Sequence, residues 1–186
     1  AKEAMVFSWS QLSGPSAVDT KYLLPQAQLA IPKHVLKSSS SYEFQVQVSM
    51  LSDPSIQSLG TFTVVVKSLP LSARISGPTD VSNLADFALD GSKSKDLDLD
   101  DSLPDQGLEF SWRCTLLNDG HTDVCRTEKG TELALAQTAT LTVAAGTLLP
   151  TSIHPYIFTM TVSKVAKAPS SFSVSVTVLN RYVPQV

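Results

Sequence analysis

The sequence predicts an all-β protein built from two tandem β-sandwich modules. The composition favours strands, because the 186 residues include 18 Val, 26 Ser and 16 Thr but only 8 Gly. Apolar and polar side chains alternate along several short segments, which is the period of a strand with one buried face. Four blocks of the first half recur in the same order in the second half, and such repetition indicates two copies of one unit.

Four pairs of blocks carry the repeat. In chain order they are FSW at 7–9 with FSW at 110–112, QLAIPKHVL at 28–36 with TLTVAAGTL at 140–148, YEFQVQVS at 42–49 with YIFTMTVS at 156–163, and TFTVVV at 61–66 with SFSVSV at 171–176. The spacing between partners drifts slightly along the chain, as insertions in surface loops produce. Each half is therefore expected to be one copy of the same strand-rich unit.

Alternation predicts the individual strands. An aromatic residue or a valine occupies every second position from Tyr42 to Val48, with polar residues between them. The same spacing recurs from Phe172 to Val178, with serines and a threonine between the apolar residues. Short strands with one apolar face, separated by Pro, Gly and Ser, are typical of a β-sandwich.

Trp9 and Trp112 occupy the position at which an immunoglobulin-like sandwich carries a core tryptophan. A Tyr-x-Phe pair, at 42–44 and again at 156–158, stands where such a sandwich carries Tyr-x-Cys on a later strand. Because phenylalanine replaces that cysteine, the core is expected to close by packing without the usual bridge between the sheets. Both tryptophans are predicted to be buried.

The two copies are expected to be unequal. A long lead before Trp112 supplies two further strands, around Arg74–Ile75 and Phe87–Leu89, whereas only eight residues precede Trp9. The predicted domains are residues 1–70, an immunoglobulin-like module without its N-terminal strands, and residues 71–186, a complete module. The missing strands are expected outside this segment or in a neighbouring chain, and without them the first module exposes an edge and its core face.

Charge and hydropathy exclude two classes of partner. The net charge is −3 at pH 7 and the basic residues do not cluster, so nucleic-acid binding is not expected, because phosphate recognition needs a basic face. No run of about eighteen apolar residues occurs, so membrane insertion by this segment is not expected either.

Cys114 and Cys125 are the two cysteines of the chain and lie in a stretch that reads as a loop. Structural zinc sites use four ligands, and only His121 is nearby, so a disulfide is favoured over a metal site. Closing this loop would stabilise the module by roughly 3 kcal/mol. A disulfide also places the chain in an oxidising, extracytoplasmic compartment.

The acidic stretch from Asp86 to Asp105 contains the candidate metal ligands. Within DLDLDD at 96–101, alternate carboxylates could present oxygens to a hard cation such as calcium. The candidate ligands are Asp96, Asp98, Asp100 and Asp101. The alternative is a solvated acidic loop between two strands, with no bound cofactor.

Catalysis is not expected. His34, His121 and His154 fall in predicted loops, and no nucleophile motif such as Gly-x-Ser-x-Gly accompanies them. A glycine-rich phosphate loop is also absent from the sequence. No catalytic residue is assigned, and the chain is predicted not to be an enzyme.

Three stretches of the chain are similar to the receptor for egg jelly (REJ) modules and the related polycystic kidney disease (PKD) domains. They are FSWSQLSGP at 7–15, LDGSKSKD at 89–96 and LEFSWRC at 108–114. The PKD motif WDFGDG follows neither tryptophan, so the REJ modules are the closer match of the two. The resemblance implies a long membrane-anchored or secreted surface protein of polycystin type, including ciliary and flagellar ones. It also implies, as partners, neighbouring modules of the same chain and other extracellular proteins or glycans.

Two functions are compatible with these features. The chain could be a spacer and adhesive segment of a surface protein, or an accessory PKD-like module of a secreted enzyme. The second function would need aligned surface aromatics that form a flat polysaccharide-binding strip. Most aromatic residues occupy strand positions predicted to face inward, and Tyr22 and Tyr182 are the clear loop exceptions. The first function is therefore favoured.

Overall fold

Strands dominate the computed structural model, which describes residues 4–103, 106–118, 121–151 and 154–180. The predicted all-β class is confirmed, because the helix described is a three-residue 3-10 turn at Thr20–Tyr22. Within this part of the chain, no helix has the length and apolar character needed to traverse a bilayer. The chain divides into two compact units, Ala1–Leu69 (unit 1) and Pro70–Val186 (unit 2).

Unit 1 is built on one antiparallel sheet. Its strands β1 (Met5–Ser13), β2 (Ser40–Met50) and β3 (Gln57–Val66) lie in the order β1-β2-β3. Tyr42 and Phe44 of β2 are fully buried, because the segment between β1 and β2 folds over this end of the sheet and adds Val18 to the core. The partly buried side chains of that segment that pack against this core are Tyr22, Leu23, Leu29, Ile31, Val35 and Leu36.

Unit 2 packs two groups of strands around one core. Its strands are β4 (Leu71–Ser72), β5 (Asp80–Ser82), β6 (Phe87–Asp90), β7 (Lys95–Asp96), β8 (Glu109–Asn118), β9 (His121–Val124), β10 (Thr140–Val143), β11 (Tyr156–Lys164) and β12 (Lys167–Leu179). Five of them form a sheet in the order β5-β12-β11-β8-β9, in which β5 runs parallel to β12. The remaining strands pair as β10 with β6 and as β4 with β7.

Side chains from both groups of strands share the core of unit 2. Trp112 of β8 is 6% exposed, and Phe158 of β11 is fully buried. Phe87 of β6 meets the ring of Phe158 edge to face, with the ring centroids 6.1 Å apart. Strand β6 therefore covers the five-stranded sheet, as expected for a β-sandwich.

The sheets of the two units share a strand order and a register. Trp9 of β1 lies opposite Val46 of β2, and Trp112 of β8 lies opposite Met160 of β11. Val46 and Met160 hold the same position in the repeated blocks at 42–49 and 156–163. The order β1-β2-β3 in unit 1 corresponds to the order β8-β11-β12 in unit 2.

The last pair of repeated blocks is displaced by two residues relative to the sheet register. Tyr42 lies opposite Val64 and Tyr156 lies opposite Val176, whereas the sequence blocks match Val64 with Val174. A shift of two residues keeps every side chain on the same face of the sheet. Alternation therefore could not reveal this displacement.

Three further local predictions differ from the structure. The strand expected around Arg74–Ile75 lies earlier, at Leu71–Ser72, whereas the strand expected at Phe87–Leu89 is present as β6. Most of the stretch between the cysteines, expected to be a loop, forms the antiparallel pair β8 and β9. The block at 28–36 forms no strand in unit 1, although its partner block contains β10.

Candidate functional site

The proposed calcium ligand Asp96 lies at the end of β7, where its side chain is fully buried in an ion-pair cluster. Lys164 Nζ donates to Asp96 Oδ2 at 2.8 Å, and Lys167 Nζ donates to Asp96 Oδ1. Lys167 Nζ also donates to Asp98 Oδ2 at 2.7 Å. The two lysines therefore bind the carboxylates that were predicted to bind calcium.

Burial and hydrogen bonding act in opposite directions on the pKa of Asp96. Burial raises the pKa, but hydrogen bonds from Lys164 and Lys167, together with the Asp98 N–H, outweigh it and hold the pKa below its ordinary value. At Lys167, burial lowers the pKa, while hydrogen bonds to Asp96 and Asp98 raise it by more. Both groups are therefore charged at neutral pH, as an ion pair requires.

The other two candidate calcium ligands also have partners. Asp101 pairs with Lys95 Nζ at 3.0 Å, and Asp100 Oδ1 accepts a hydrogen bond from the Ser102 N–H at 2.9 Å. In the described ranges, no group of three or more His, Cys, Asp or Glu side chains is placed to hold a metal ion. Calcium binding stays a prediction, and a calcium ion would have to displace the lysines.

The turn between β11 and β12 positions the two lysines. Lys164 ends β11 and Lys167 begins β12, and Ala166 between them has a positive φ of 64°, which lets the chain reverse tightly. The sequence pattern did not indicate this cluster, because Lys164 lies 68 residues from Asp96. The available signal was the pair of lysines flanking a short turn between two alternating segments.

The predicted disulfide is confirmed. Cys114 of β8 and Cys125, which follows β9, are bonded with their Cα atoms 5.4 Å apart. Both residues are buried in the core of unit 2, at 3% and 1% exposed. The bond fastens the end of β9 to the strand that carries Trp112, so it is part of the core.

Removing this disulfide should destabilise unit 2. Reduction, or the double substitution Cys114→Ser and Cys125→Ser, is expected to lower its free energy of unfolding by about 3 kcal/mol, because the unfolded chain regains the freedom of the loop. Denaturant unfolding with and without a reducing agent measures the change. Unit 1 has no cysteine and serves as the internal control; an equal loss in both units would contradict a local effect.

Each tryptophan donates its indole N–H to a backbone carbonyl. Trp9 Nε1 donates to Gln26 O, and Trp112 Nε1 donates to Thr138 O, both at 2.8 Å. Gln26 and Thr138 each stand two residues before a repeated block, 28–36 or 140–148. The indole groups therefore fasten equivalent segments to the two sheets.

The two tyrosines of the Tyr-x-Phe pairs also bond to nearby backbone. The Tyr42 hydroxyl accepts a hydrogen bond from the Lys37 N–H at 2.9 Å, and the Tyr156 hydroxyl donates to Leu149 O at 3.0 Å. Burial raises the pKa of Tyr156. These contacts resemble the tyrosine corner of immunoglobulin-like sandwiches, in which a core tyrosine bonds to upstream backbone.

The core face of the unit 1 sheet is uncovered at one end. We call this region the open face, and it consists of Phe7, Trp9, Val46, Val48 and Phe62. Phe62 is 39% exposed and the other four side chains are partly exposed. The prediction of a buried Trp9 is therefore wrong. The segment that folds over Tyr42 and Phe44 reaches the indole N–H through Gln26 O but leaves the side chain partly exposed.

Unit 2 has a basic surface cleft of about 600 Å³. Arg74, Lys93 and Lys95 contribute positive charge, and Phe110 contributes an apolar wall. Asp101, which pairs with Lys95, also lines the cleft, so Arg74 and Lys93 carry its net positive charge.

The structure places the other residues considered in the sequence in separate positions. His34 lies in an exposed loop of unit 1 with a positive φ of 63°. His121 begins β9, and the backbone oxygen of His154 accepts a hydrogen bond from Thr151 Oγ1. Tyr22 packs against the core of unit 1. Tyr182 lies outside the described residues.

A known protein family matches the whole chain. The model of the family described as REJ domain matches residues 1–186 of this chain. No curated protein matches it.

Proposed function

Because the chain belongs to the REJ domain family, we propose that it is an extracellular structural and adhesive segment of a large polycystin-like surface protein. Its place would be the cell surface or the membrane of a cilium or flagellum. The segment acts as a spacer and as a protein–protein interaction module, without catalysis. Its partners are neighbouring modules of the same chain and other extracellular proteins or glycans.

The disulfide supports an extracellular location. Disulfides persist in oxidising compartments and are rare where glutathione keeps thiols reduced. Both cysteines of the chain are used in the Cys114–Cys125 bond, which lies within the core of unit 2. The bond therefore stabilises the fold and has the properties of a structural disulfide.

The observation that carries the proposal is the common register of the two tryptophan-bearing sheets. Trp9 opposite Val46 and Trp112 opposite Met160 occupy equivalent sites, and both indoles bond to the segment that precedes a repeated block. This agreement supports two tandem immunoglobulin-like modules, the first without its N-terminal strands. Modules in series, each with its own core, are what a spacer requires.

Single-molecule stretching of the chain between two handles tests the spacer role. We expect two separate unfolding events, one for each unit. With the disulfide intact, residues 114–125 stay closed, and the Cα atoms of the two cysteines are 5.4 Å apart. Reduction should therefore lengthen the unfolded chain by roughly 34 Å, the length of eleven residues at about 3.6 Å each less that distance. The extension should appear only in the event assigned to unit 2.

The double variant Cys114→Ser and Cys125→Ser is the matched control. It should show the longer extension without reducing agent and should leave the unit 1 event unchanged. A single event that releases both units together would contradict modules in series. If reduction lengthens neither unfolding event, the assignment of the disulfide to the core of unit 2 is contradicted.

A further inference from the structure

We propose that unit 1 is a strand acceptor. An extended segment with large apolar side chains at two alternate positions pairs antiparallel with residues 28–31, and the end of this segment passes over Val46 at the centre of the open face. The donor is a segment of the same polypeptide on the N-terminal side of β1. This gives unit 1 a defined docking site, which the spacer role does not require.

Unit 2 shows how such a strand binds. Strand β6 pairs antiparallel with β10, so that Phe87 lies opposite Val143 and Leu89 lies opposite Leu141. These four side chains are between 1% and 6% exposed. The backbone ladder holds β6 in place, while its alternate apolar side chains fill the core.

The end of β6 covers the site that corresponds to the centre of the open face. A Cβ atom at Gly91, the residue after β6, would collide with the side chain of Met160. Met160 is fully buried under this contact. Its counterpart in unit 1, Val46, is partly exposed, because no described strand of unit 1 passes over it.

Residues 28–31, the acceptor segment of unit 1, pack on the core but pair with no described strand. Leu29 and Ile31 pack against the core that contains Tyr42 and Phe44, and the bond from Trp9 to Gln26 anchors the segment two residues earlier. In the described structure, residues 28–31 form no backbone hydrogen bond with other residues. Exposed backbone of this kind pairs readily with an added strand.

The chemistry of the donor follows from the acceptor. Two apolar side chains two residues apart would meet Leu29 and Ile31, as Leu89 and Phe87 meet Leu141 and Val143. A small residue should follow them, because Gly91 allows the close approach to Met160. The donor is assigned to the same polypeptide because β6 precedes the tryptophan strand β8 in the chain.

The test fuses a second copy of residues 85–92 (ADFALDGS) to the N-terminus of the full chain through a flexible Gly/Ser linker. A short linker keeps the segment at an effective concentration on the order of millimolar. We expect amide hydrogen exchange at residues 28–31 to slow by about tenfold or more, since pairing protects these amides. Residues 140–143, already paired with β6, should exchange unchanged.

The control fusion replaces the donor phenylalanine and leucine by serine, and it should give no protection. Equal protection by both fusions, or protection by neither, would overturn the proposal. If the fusion aggregates, the same peptide added in excess to the unmodified chain gives the same readout. A dimer of the unmodified chain with its open face already protected would instead identify a second copy as the occupant and overturn the proposal.

Discussion

Replacing Trp112 by Ala should lower the free energy of unfolding of unit 2 by about 3–5 kcal/mol, the range found when a large buried side chain is truncated. The indole is 6% exposed, so its removal leaves a cavity in the core. It also removes the hydrogen bond that Trp112 Nε1 donates to Thr138 O. The segment leading into β10 then loses its attachment to the sheet.

The matched substitution is Trp9→Ala in unit 1. Trp9 makes the equivalent hydrogen bond to Gln26 O, but it is only partly buried. Its truncation should therefore cost less, roughly 1–2 kcal/mol. Denaturant unfolding of the two full-length variants, followed by circular dichroism, measures both values, because this signal reports on the unit that has lost its tryptophan. The tryptophan that each variant keeps shows by fluorescence whether the other unit is unchanged. Equal costs would contradict the difference in burial.

Alternation and repetition were sufficient to predict the strands that carry the core. Tyr42, Phe44 and Phe158 are fully buried, because an apolar residue at every second position of a strand faces one side. The disulfide was also predictable, since two cysteines a short distance apart leave few alternatives. These features depend on the spacing of residues close together in the chain, which is visible in the sequence itself.

The remaining features depend on contacts between distant segments. The ion pairs of Asp96 with Lys164 and Lys167 join residues about 70 positions apart, so an acidic run read alone indicates a metal site or a solvated loop. The exposure of Trp9 depends on which segment packs against its sheet, and the sequence of β1 does not indicate this. A slip of two residues in β3 leaves the pattern of alternation unchanged.

Replacing Asp96 by Asn should lower the free energy of unfolding of unit 2 by about 3 kcal/mol, as expected when one partner of a buried ion pair is removed. The carboxylate has a side-chain exposure of 2%, and Lys164 and Lys167 have 24% and 14%. The substitution leaves two ammonium groups beside a neutral amide. Asp98 still pairs with Lys167, so the largest loss should fall on Lys164.

The pH dependence follows from the directions of the two pKa shifts. Asp96 has a lowered pKa in the folded state, so its contribution is complete above the unfolded pKa of about 4 and is lost as the pH falls through the folded value. Lys167 has a raised pKa, so its contribution is complete below about 10 and is lost as the pH rises through the folded value. Asp96→Asn should remove the Asp96 contribution to the acid limb, while Asp90, whose pKa is also lowered by hydrogen bonds from Ser92, keeps its own.

The control is Asp123→Asn, which neutralises an exposed aspartate on β9 of the same unit and should change the free energy of unfolding by less than about 0.5 kcal/mol. Denaturant unfolding across the pH range, with and without excess calcium, compares the three proteins. If the lysines are the partners of Asp96, calcium leaves the wild-type chain unchanged. Stabilisation of the wild-type chain by calcium, lost in Asp96→Asn, would instead show that the cation displaces the lysines, because a ligand that binds only the folded state raises its stability.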